Sequence, residues 1–365
     1  MSQNQIYRAL GLMSGTSLDG VDGAVCITDG QKILGFEGGY YRPYSDQERA
    51  VLHGQLGKWP EGGGFDQAQE IIHKAHIEVI AHFPDADIIG FHGQTLNHDP
   101  KQGRTFQLGD GAALAHATGR RVVWDFRSED VAAGGQGAPL APFFHFACAK
   151  TLGLRTPIAF LNLGGVGNVS WIDPSKPNPD SAGAILAFDT GPANAPINDF
   201  VAQRLSVEFD KDGGLAASGQ VNTAALEQFF KHPYFETKPP KSLDRNDFAD
   251  IQDVVSDLNS ADGAATLTAI ATSSAYAAQM YFAEDPSRWL VCGGGRKNTT
   301  IMTALRQMLT GSVDAVEAVG FDGDMFEAQA FGFLAARVVN GLPTSAPSTT
   351  GCPTPICGGQ ISPPL

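Results

Sequence analysis

The sequence predicts an α/β protein of two domains flanking a cleft, and three features carry that prediction. Apolar runs of strand length alternate with segments of helical period along the chain. A strand, a glycine-bearing turn and a returning strand occur near residue 15 and again near residue 165. The chain is also 365 residues long, beyond the size at which one hydrophobic core keeps growing.

The first of these hairpins opens the chain. Ile6 to Leu10 reads as a buried strand, Met13 to Asp19 as a tight turn and Val21 to Ile27 as the returning strand. Gly15 lets the backbone approach a ligand, Thr16 and Ser17 set hydroxyls beside successive N–H groups, and Asp19 and Asp22 supply carboxylates suited to Mg²⁺ or its waters. Turn chemistry alone reads Gly-Thr-Ser as an ordinary loop more readily than as a phosphate site. The whole run Gly-Leu-Met-Ser-Gly-Thr-Ser-Leu-Asp-Gly-Val-Asp-Gly-Ala, Gly11 to Ala24, resembles the opening signature of the anhydro-N-acetylmuramic acid kinases, members of the sugar-kinase, Hsp70 and actin superfamily. The resemblance implies two ribonuclease-H-like domains of the actin-like ATPase fold around an active-site cleft. It also implies that Gly15, Thr16, Ser17, Leu18, Asp19, Gly20, Val21 and Asp22 hold the phosphates of ATP. Many proteins of this superfamily carry an aspartate where this chain has Met13, which leaves Asp19 or Asp22 to face the metal.

Composition limits the partners. Against 25 basic side chains stand 39 acidic ones, a net charge of −14, which disfavours nucleic acid or an anionic membrane. The N-terminus lacks a basic region followed by an apolar core, and no apolar run approaches the roughly 18 residues that span a bilayer; a cytoplasmic protein is expected. The five cysteines, Cys26, Cys148, Cys292, Cys352 and Cys357, lie mostly in apolar segments, as reduced buried thiols do. No second Cys or His pair accompanies Cys352 and Cys357, so a zinc clip is not expected.

Lys32 to Tyr41 reads as a third strand, and residues 66–83 as a helix with Ile72, Ala75, Val79 and Phe83 on one face. His73, His76 and His82 are placed on its solvated side. Asp87 to Phe91 is a short buried strand delivering His92, Gly93, Gln94 and Thr95 to its carboxyl end, which faces the cleft in parallel sheets. His92 and Gln94 either contact a ligand there or satisfy their own loop. His-Gly-Gln-Thr with His98 and Pro100 resembles a second stretch of the same family, which favours the cleft. Ala112 to Thr118 reads as a helix and Arg121 to Trp124 as a strand whose exit carries Asp125, Arg127 and Asp130. The Arg127 guanidinium suits a substrate carboxylate, or equally a structural pair with Asp125 or Asp130. Asp-Phe-Arg-x-x-Asp resembles the family sequence, and Arg127 and Asp130 are carried forward as substrate-binding candidates. The glycine run Ala132 to Pro139 is the clearest composition break. A hinge placed there makes residues 1–133 with about 341–365 the first domain and 134–340 the second. Pro139 and Pro142 then open an apolar helix that stops at Gly153.

The second half repeats the pattern. Pro157 to Leu163 is an apolar strand, Gly164, Gly165, Gly167 and Asn168 form its turn, and Val169 to Ile172 returns. A glycine turn after a strand is a weak phosphate signal alone, but the superfamily grips a triphosphate with one such hairpin from each domain. Ala184 to Phe188 is the next strand and exits at Asp189, near Asn194, Asn198 and Asp199. From the residues alone, Asp189 is either a carboxylate aimed by backbone donors or a cap for the helix near Ala195. The resemblance implies that it is the catalytic base, although Ala193 stands where the family typically has glycine. Pro239 to Arg245 is similar to a family segment bordering the cleft, and Asp262 to Tyr281 reads as a helix rich in small residues. After the strand Trp289 to Cys292, the turn Gly293, Gly294, Gly295, Arg296 and Asn298 presents flat backbone of the kind this superfamily uses for adenosine, with Arg296 over the base; a plain strand–helix turn is the other reading. The last helix begins at Asp322, and on it Glu327 is either a surface carboxylate or, by resemblance, a group near the sugar.

The resemblance runs from Gly11 to about Pro363. It implies a kinase that uses ATP and Mg²⁺ to convert 1,6-anhydro-N-acetylmuramic acid and water to N-acetylmuramic acid 6-phosphate in cell-wall recycling, as a homodimer. Two other functions fit the residues: a kinase of the same fold acting on an ordinary sugar hydroxyl, and a nucleotide-driven switch that binds no sugar.

Overall fold

The computed structural model describes residues 5–243 and 247–364. Asp244 and Arg245, the end of the expected segment 239–245, lie outside the described residues. The chain divides into two compact units, Met1–Gly153 with Met325–Leu365, and Leu154–Asp324.

In the first unit, β1 (Tyr7–Ser14), β2 (Gly20–Thr28) and β3 (Ile33–Pro43) form an antiparallel meander. Two further strands, β4 (Ile88–Asp99) and β6 (Arg121–Trp124), add in parallel on the other side of β1, and β5 (Arg104–Leu108) pairs with the far end of β4. In the second unit β7 (Ile158–Leu163), β8 (Val166–Ile172) and β9 (Ile185–Pro192) form the meander. There β10 (Arg288–Cys292) and β11 (Ser312–Ala315) continue in parallel beyond β7. A short β12 (Gln360–Ser362) closes the first sheet against β6. Both sheets thus carry a meander whose first strand pairs in parallel with the fourth, the ribonuclease-H-like order. The duplication expected from the two hairpins is a duplication of topology.

The units divide at residues 153/154 and 324/325 rather than at the glycine run and residue 340. Glycine packing explains the difference. A Cβ on Gly11 of β1 would lie 1.7 Å from the Ala328 carbonyl, and one on Gly90 of β4 would lie 2.2 Å from that of Phe331. The helix Phe326–Val339 therefore sits with its backbone against the first sheet. The helix Pro142–Thr151 follows it, through Phe144 against Phe326 and Phe333 and His145 stacked on Phe326. The run Ala132 to Pro139 lies within the first unit. A Cβ on Gly135 would meet the Asp130 carboxylate at 2.2 Å, so glycine here serves close packing.

The helix expected over 66–83 spans Asp66–Ala81 and buries Ile72, Ala75 and Val79. Its histidines are not all solvated: His76 is fully buried with Nδ1 on the Ile72 carbonyl, His73 Nε2 accepts from the Asp110 N–H, and His82 stacks on Tyr40. Among the described residues no helix is long and apolar enough to cross a membrane, and none of the five cysteines is in a disulfide.

Candidate active site

In the second unit, chemistry converges on β9, the edge strand of its sheet. Asp189 is not at a strand exit as expected; β9 continues to Pro192, and Asp189 lies within it, directly opposite Asn168 of β8. Cross-strand partners hold their Cβ atoms about 5 Å apart, so the hairpin asparagine and the aspartate share one face. Asp189 does not cap the following helix. The helix Asn194–Leu205 starts after Ala193 without a side-chain cap, and Asp189 Oδ2 instead accepts from the Leu243 N–H at 2.7 Å. Burial pushes this half-buried carboxyl up to about 7; the Leu243 hydrogen bond opposes that rise and the charge of Asp247 adds to it. A carboxylate titrating there suits proton abstraction near neutral pH. Ala193, the departure from the family pattern, stands at the start of this helix with φ −128° and ψ −109°.

The glycine turn of the second hairpin is fixed from behind. The Gly164 carbonyl accepts from Asn194 N–H at 2.9 Å, and the Gly165 carbonyl from Ala193 and Ala195 at 3.0 and 3.2 Å. Those helix-start N–H groups are thereby used, and the turn is held rigid with Gly165 exposed. Gly167 needs to be glycine because a Cβ would meet Thr190 Oγ1 at 2.7 Å. Asn194 also donates to the Leu163 carbonyl and lies beside the turn after β10. That turn packs onto the hairpin: a Cβ on Gly293 (φ +71°) would meet Asn162 Oδ1 at 2.3 Å, and one on Gly295 would meet Leu163. The phosphate candidates Gly164, Gly165, Gly167 and Asn168 and the adenosine candidates Gly293, Gly294 and Gly295 are thus neighbours. Arg296 and Asn298 play another part. Arg296 has a side chain 3% exposed that is ion-paired with Glu317 and Asp324 and bonded to the Gly293 carbonyl, so it pins the turn from beneath. Asn298 caps the helix Thr299–Met308 through the Ile301 N–H.

In the first unit the hairpin tip is residues 15–19, closed by Leu18 N–H on the Gly15 carbonyl, with Leu18 at φ +58°. Thr16, Ser17 and Asp19 are exposed, whereas Leu18 and Val21 are buried in the core. Gly20 is hemmed in by the Arg42 carbonyl, 2.3 Å from a Cβ. Asp22 is half-buried in β2 opposite Met13. Gln94 is wholly buried and turns inward: Oε1 accepts from Ser14 Oγ at 2.6 Å and Nε2 donates to the Gly15 carbonyl at 3.1 Å. It braces the tip from inside. The brace exists because residues 92–95 lie inside β4, not in a loop, and the pairing with β1 shifts register there, beside Gly93 at φ +74°.

Arg127 pairs with neither Asp125 nor Asp130. Its Nε and one Nη lie 3.2 and 3.0 Å from His92 Nε2, and its other Nη donates to the Gly137 carbonyl at 2.6 Å. His92 accepts at Nε2, so Nδ1 carries the proton and donates to the Gly93 carbonyl. Burial, with Arg127 beside it, holds His92 far below its ordinary value and therefore neutral. Burial lowers the half-buried Arg127 to about 10 against the pull of Glu327 and Asp130, leaving it charged at neutral pH. Glu327 is exposed in the first turn of its helix, close enough to act on Arg127 electrostatically. Asp130 is 1% exposed, and its oxygens are taken by Gly137 N–H, Ser345 Oγ and Thr350 Oγ1. It ties the glycine run to the C-terminal segment and is not free to bind substrate. Asp130→Ala strands three buried donors and is expected to cost about 3 kcal/mol, read as a lower thermal midpoint.

The residues that sequence reasoning missed are Ser14, Tyr44, Tyr234 and Lys241. Ser14 and Tyr44 carry the brace behind the tip. Tyr234 and Lys241 belong to a stretch without periodicity, where only a family-like Pro-Pro-Lys marked the neighbourhood.

Solved structures resemble the whole chain only distantly. The component A of (R)-2-hydroxyglutaryl-CoA dehydratase from Acidaminococcus fermentans aligns at TM-score 0.47 and 14% identity over 91% of this chain and 98% of its own. A ROK family glucokinase from Streptomyces griseus in complex with glucose and AMPPNP aligns at 0.42 and 13%, covering 91% and 100%. Sequence relatives are much nearer. The anhydro-N-acetylmuramic acid kinase of Ruegeria sp. is 54% identical over 364 residues, covering 100% of this chain and 97% of the relative. That of Cereibacter sphaeroides is 55% identical over 356 residues, covering 98% and 96%. The family model for anhydro-N-acetylmuramic acid kinase matches residues 7–364, a span that takes in both hairpins, Asp189 and the C-terminal strand. With identity above one half sustained across both units, the chain belongs to the anhydro-N-acetylmuramic acid kinase family.

Proposed function

We propose that the chain converts 1,6-anhydro-N-acetylmuramic acid, water and ATP to N-acetylmuramic acid 6-phosphate and ADP in cell-wall recycling, with Asp189 as the base. The observation that carries this reading is the Asp189 carboxyl, titrating near 7 and set opposite Asn168 in the strand pair that leads to a glycine turn. Asp189 takes a proton from a water as its oxygen attacks the anomeric carbon. The C1–O6 bond breaks, O6 keeps the electron pair and attacks the γ-phosphorus, and ADP leaves; the proton on Asp189 passes to solvent. The bridging ether supplies the nucleophile, which is why hydrolysis and phosphorylation belong in one site.

The other roles rest on the resemblance. Residues 15–22, with Thr16 and Ser17 as the exposed hydroxyls, and Gly164, Gly165, Gly167 and Asn168 are assigned to the phosphates. Gly293 and Gly294 take the adenosine. Arg127, held by His92, takes the lactyl carboxylate, and Glu327 a sugar hydroxyl. Asp19 and Asp22 are one or two carboxylates near a phosphate loop, the sparse protein donor set that suits Mg²⁺, a cation that keeps waters and phosphate oxygens. When bound, the metal neutralises charge on the phosphoryl oxygens. The reading includes a cytoplasmic homodimer: five cysteines in no disulfide fit a reducing compartment, and sedimentation checks the dimer.

The test is turnover in ¹⁸O-labelled water. One ¹⁸O is expected at the anomeric hydroxyl of the product and none in its phosphate ester. Unlabelled product would instead mean transfer to a ready-made hydroxyl, as in an ordinary sugar kinase. Because the base must be ionised, kcat is expected to be flat above about pH 7 and to fall tenfold per unit below it. A profile level down to pH 5 would remove Asp189 from that role.

A further inference from the structure

An edge strand leaves main-chain N–H and C=O groups unpaired on its outer side, and β9 is such a strand. At Asp189 that edge is closed by the segment 234–243. The Asp189 N–H donates to the Lys241 carbonyl at 3.0 Å. Lys241 Nζ donates to the Tyr234 carbonyl at 3.0 Å, and the Tyr234 hydroxyl donates to the Asp189 carbonyl. Each residue thus donates to the next, and the three hydrogen bonds form a closed ring. Two residues beyond Lys241, the Leu243 N–H holds Asp189 Oδ2.

Lys241 is an unusual component for such a ring. It is 7% exposed, in a protein interior where lysine is rare and a methionine or leucine would fill the space at less cost. Its ammonium lies 4.2 Å from the centre of the Tyr234 ring, 5.3 Å from Tyr281 and 5.9 Å from Phe188, an aromatic cage that partly offsets lost hydration. Side chains alternate along a strand, so Phe188 and the caged ammonium lie on the face of β9 away from the Asp189 carboxylate. Lys241 therefore acts behind the strand, through the main chain, without touching reacting atoms. What its amine adds over an apolar filler is the bond to Tyr234, which makes the ring complete.

We propose that Lys241 and Tyr234 are positioning residues for the reaction, clamping the main chain at Asp189 so that its carboxylate keeps the single orientation in which Leu243 holds one oxygen and the other meets water. This rests on the reading of Asp189 as the base. A misplacement of about 1 Å at a reacting group costs on the order of 100-fold, which sets the scale of the expected effect.

The experiment compares Lys241→Met, Tyr234→Phe and the double variant with the intact enzyme, measuring kcat and KM from pH 5 to 9. Each single variant is expected to lose about 10- to 100-fold in kcat while KM for ATP stays within about twofold. The acidic limb of kcat is expected to move to higher pH, because loosening the Leu243 bond removes a contact that holds the Asp189 pKa down. The double variant should fall no further than the worse single one, since a ring is broken only once. A role in folding alone would lower the yield of folded protein and leave the pH limb in place. Wild-type kcat and limb in either folded variant, or losses that multiply, overturn the clamp. If Lys241→Met does not fold, Tyr234→Phe, which removes one oxygen, decides alone. An inactive Asp189→Asn beside fully active clamp variants sinks the clamp and keeps the base; an active Asp189→Asn sinks both.

Discussion

Asp189→Asn is expected to lose turnover by about 10³- to 10⁴-fold while binding ATP as tightly as the parent. The amide keeps the shape of the carboxylate, and its oxygen still accepts the Leu243 N–H, so what is removed is the ability to take a proton. Isothermal titration with a non-hydrolysable ATP analogue and the ADP-release assay read the two effects separately. The same substitution should raise stability at alkaline pH. The folded-state value of about 7 lies above the ordinary 3.8. Between those values the folded chain holds a proton that the unfolded chain has released, and this group's contribution is lost as pH rises through that window. Asparagine carries no such cost, so its melting temperature is expected to exceed the parent's at pH 8 and to converge on it near pH 4. A variant that turns over at the parental rate would remove the base assignment, and one no more stable at pH 8 would mean that the carboxylate is better hydrated than its partners suggest.

Gly11→Ala is expected to be the most damaging single methyl group in the first unit. The new Cβ would sit 1.7 Å from the Ala328 carbonyl and 2.4 Å from the Gly332 nitrogen. Both are backbone atoms of the helix Phe326–Val339, which no rotamer change can move aside. Gly332 reciprocates, since its own Cβ would lie 2.5 Å from the Ala9 carbonyl. Relief requires lifting the helix off the sheet and opening the layer that also seats Phe144 and Phe331. Destabilisation of about 3 kcal/mol or more is expected, seen as a lower urea midpoint with unchanged slope. Gly38→Ala is the control: it lies in β3 with nothing within 4 Å of its Cβ and should stay within about 0.5 kcal/mol. A Gly11→Ala protein as stable as the control would mean that the helix is not seated by this contact.

Hydrophobic period and turn chemistry are local, and what depended on them was legible. The strand–glycine–strand pattern near Gly15 and Gly164, the strand leading to Gly293 and the helix carrying Val79 could all be read along the chain, because each is fixed by neighbours a few residues away. The signature from Gly11 to Ala24 likewise pointed to the family that the full-length comparison shows. Side-chain duty was less legible. Gln94, Asp130, Arg296 and Asn298 looked like ligand contacts because polar residues beside glycine turns have two uses, and each is instead spent on holding a turn, a tail or a helix end.

The sequence by itself determined the two-fold repeat of the meander, the family and the aspartate on which the chemistry is proposed to turn. Only the tertiary structure decided that the 326–339 helix belongs to the first unit, that Arg127 leans on a neutral His92, and that Asp189 sits on an edge closed by Tyr234 and Lys241. The reason is distance along the chain. A period or a turn is set by residues within one element, whereas these contacts join positions 35 to over 300 residues apart, and which groups meet across such spans depends on how whole layers pack.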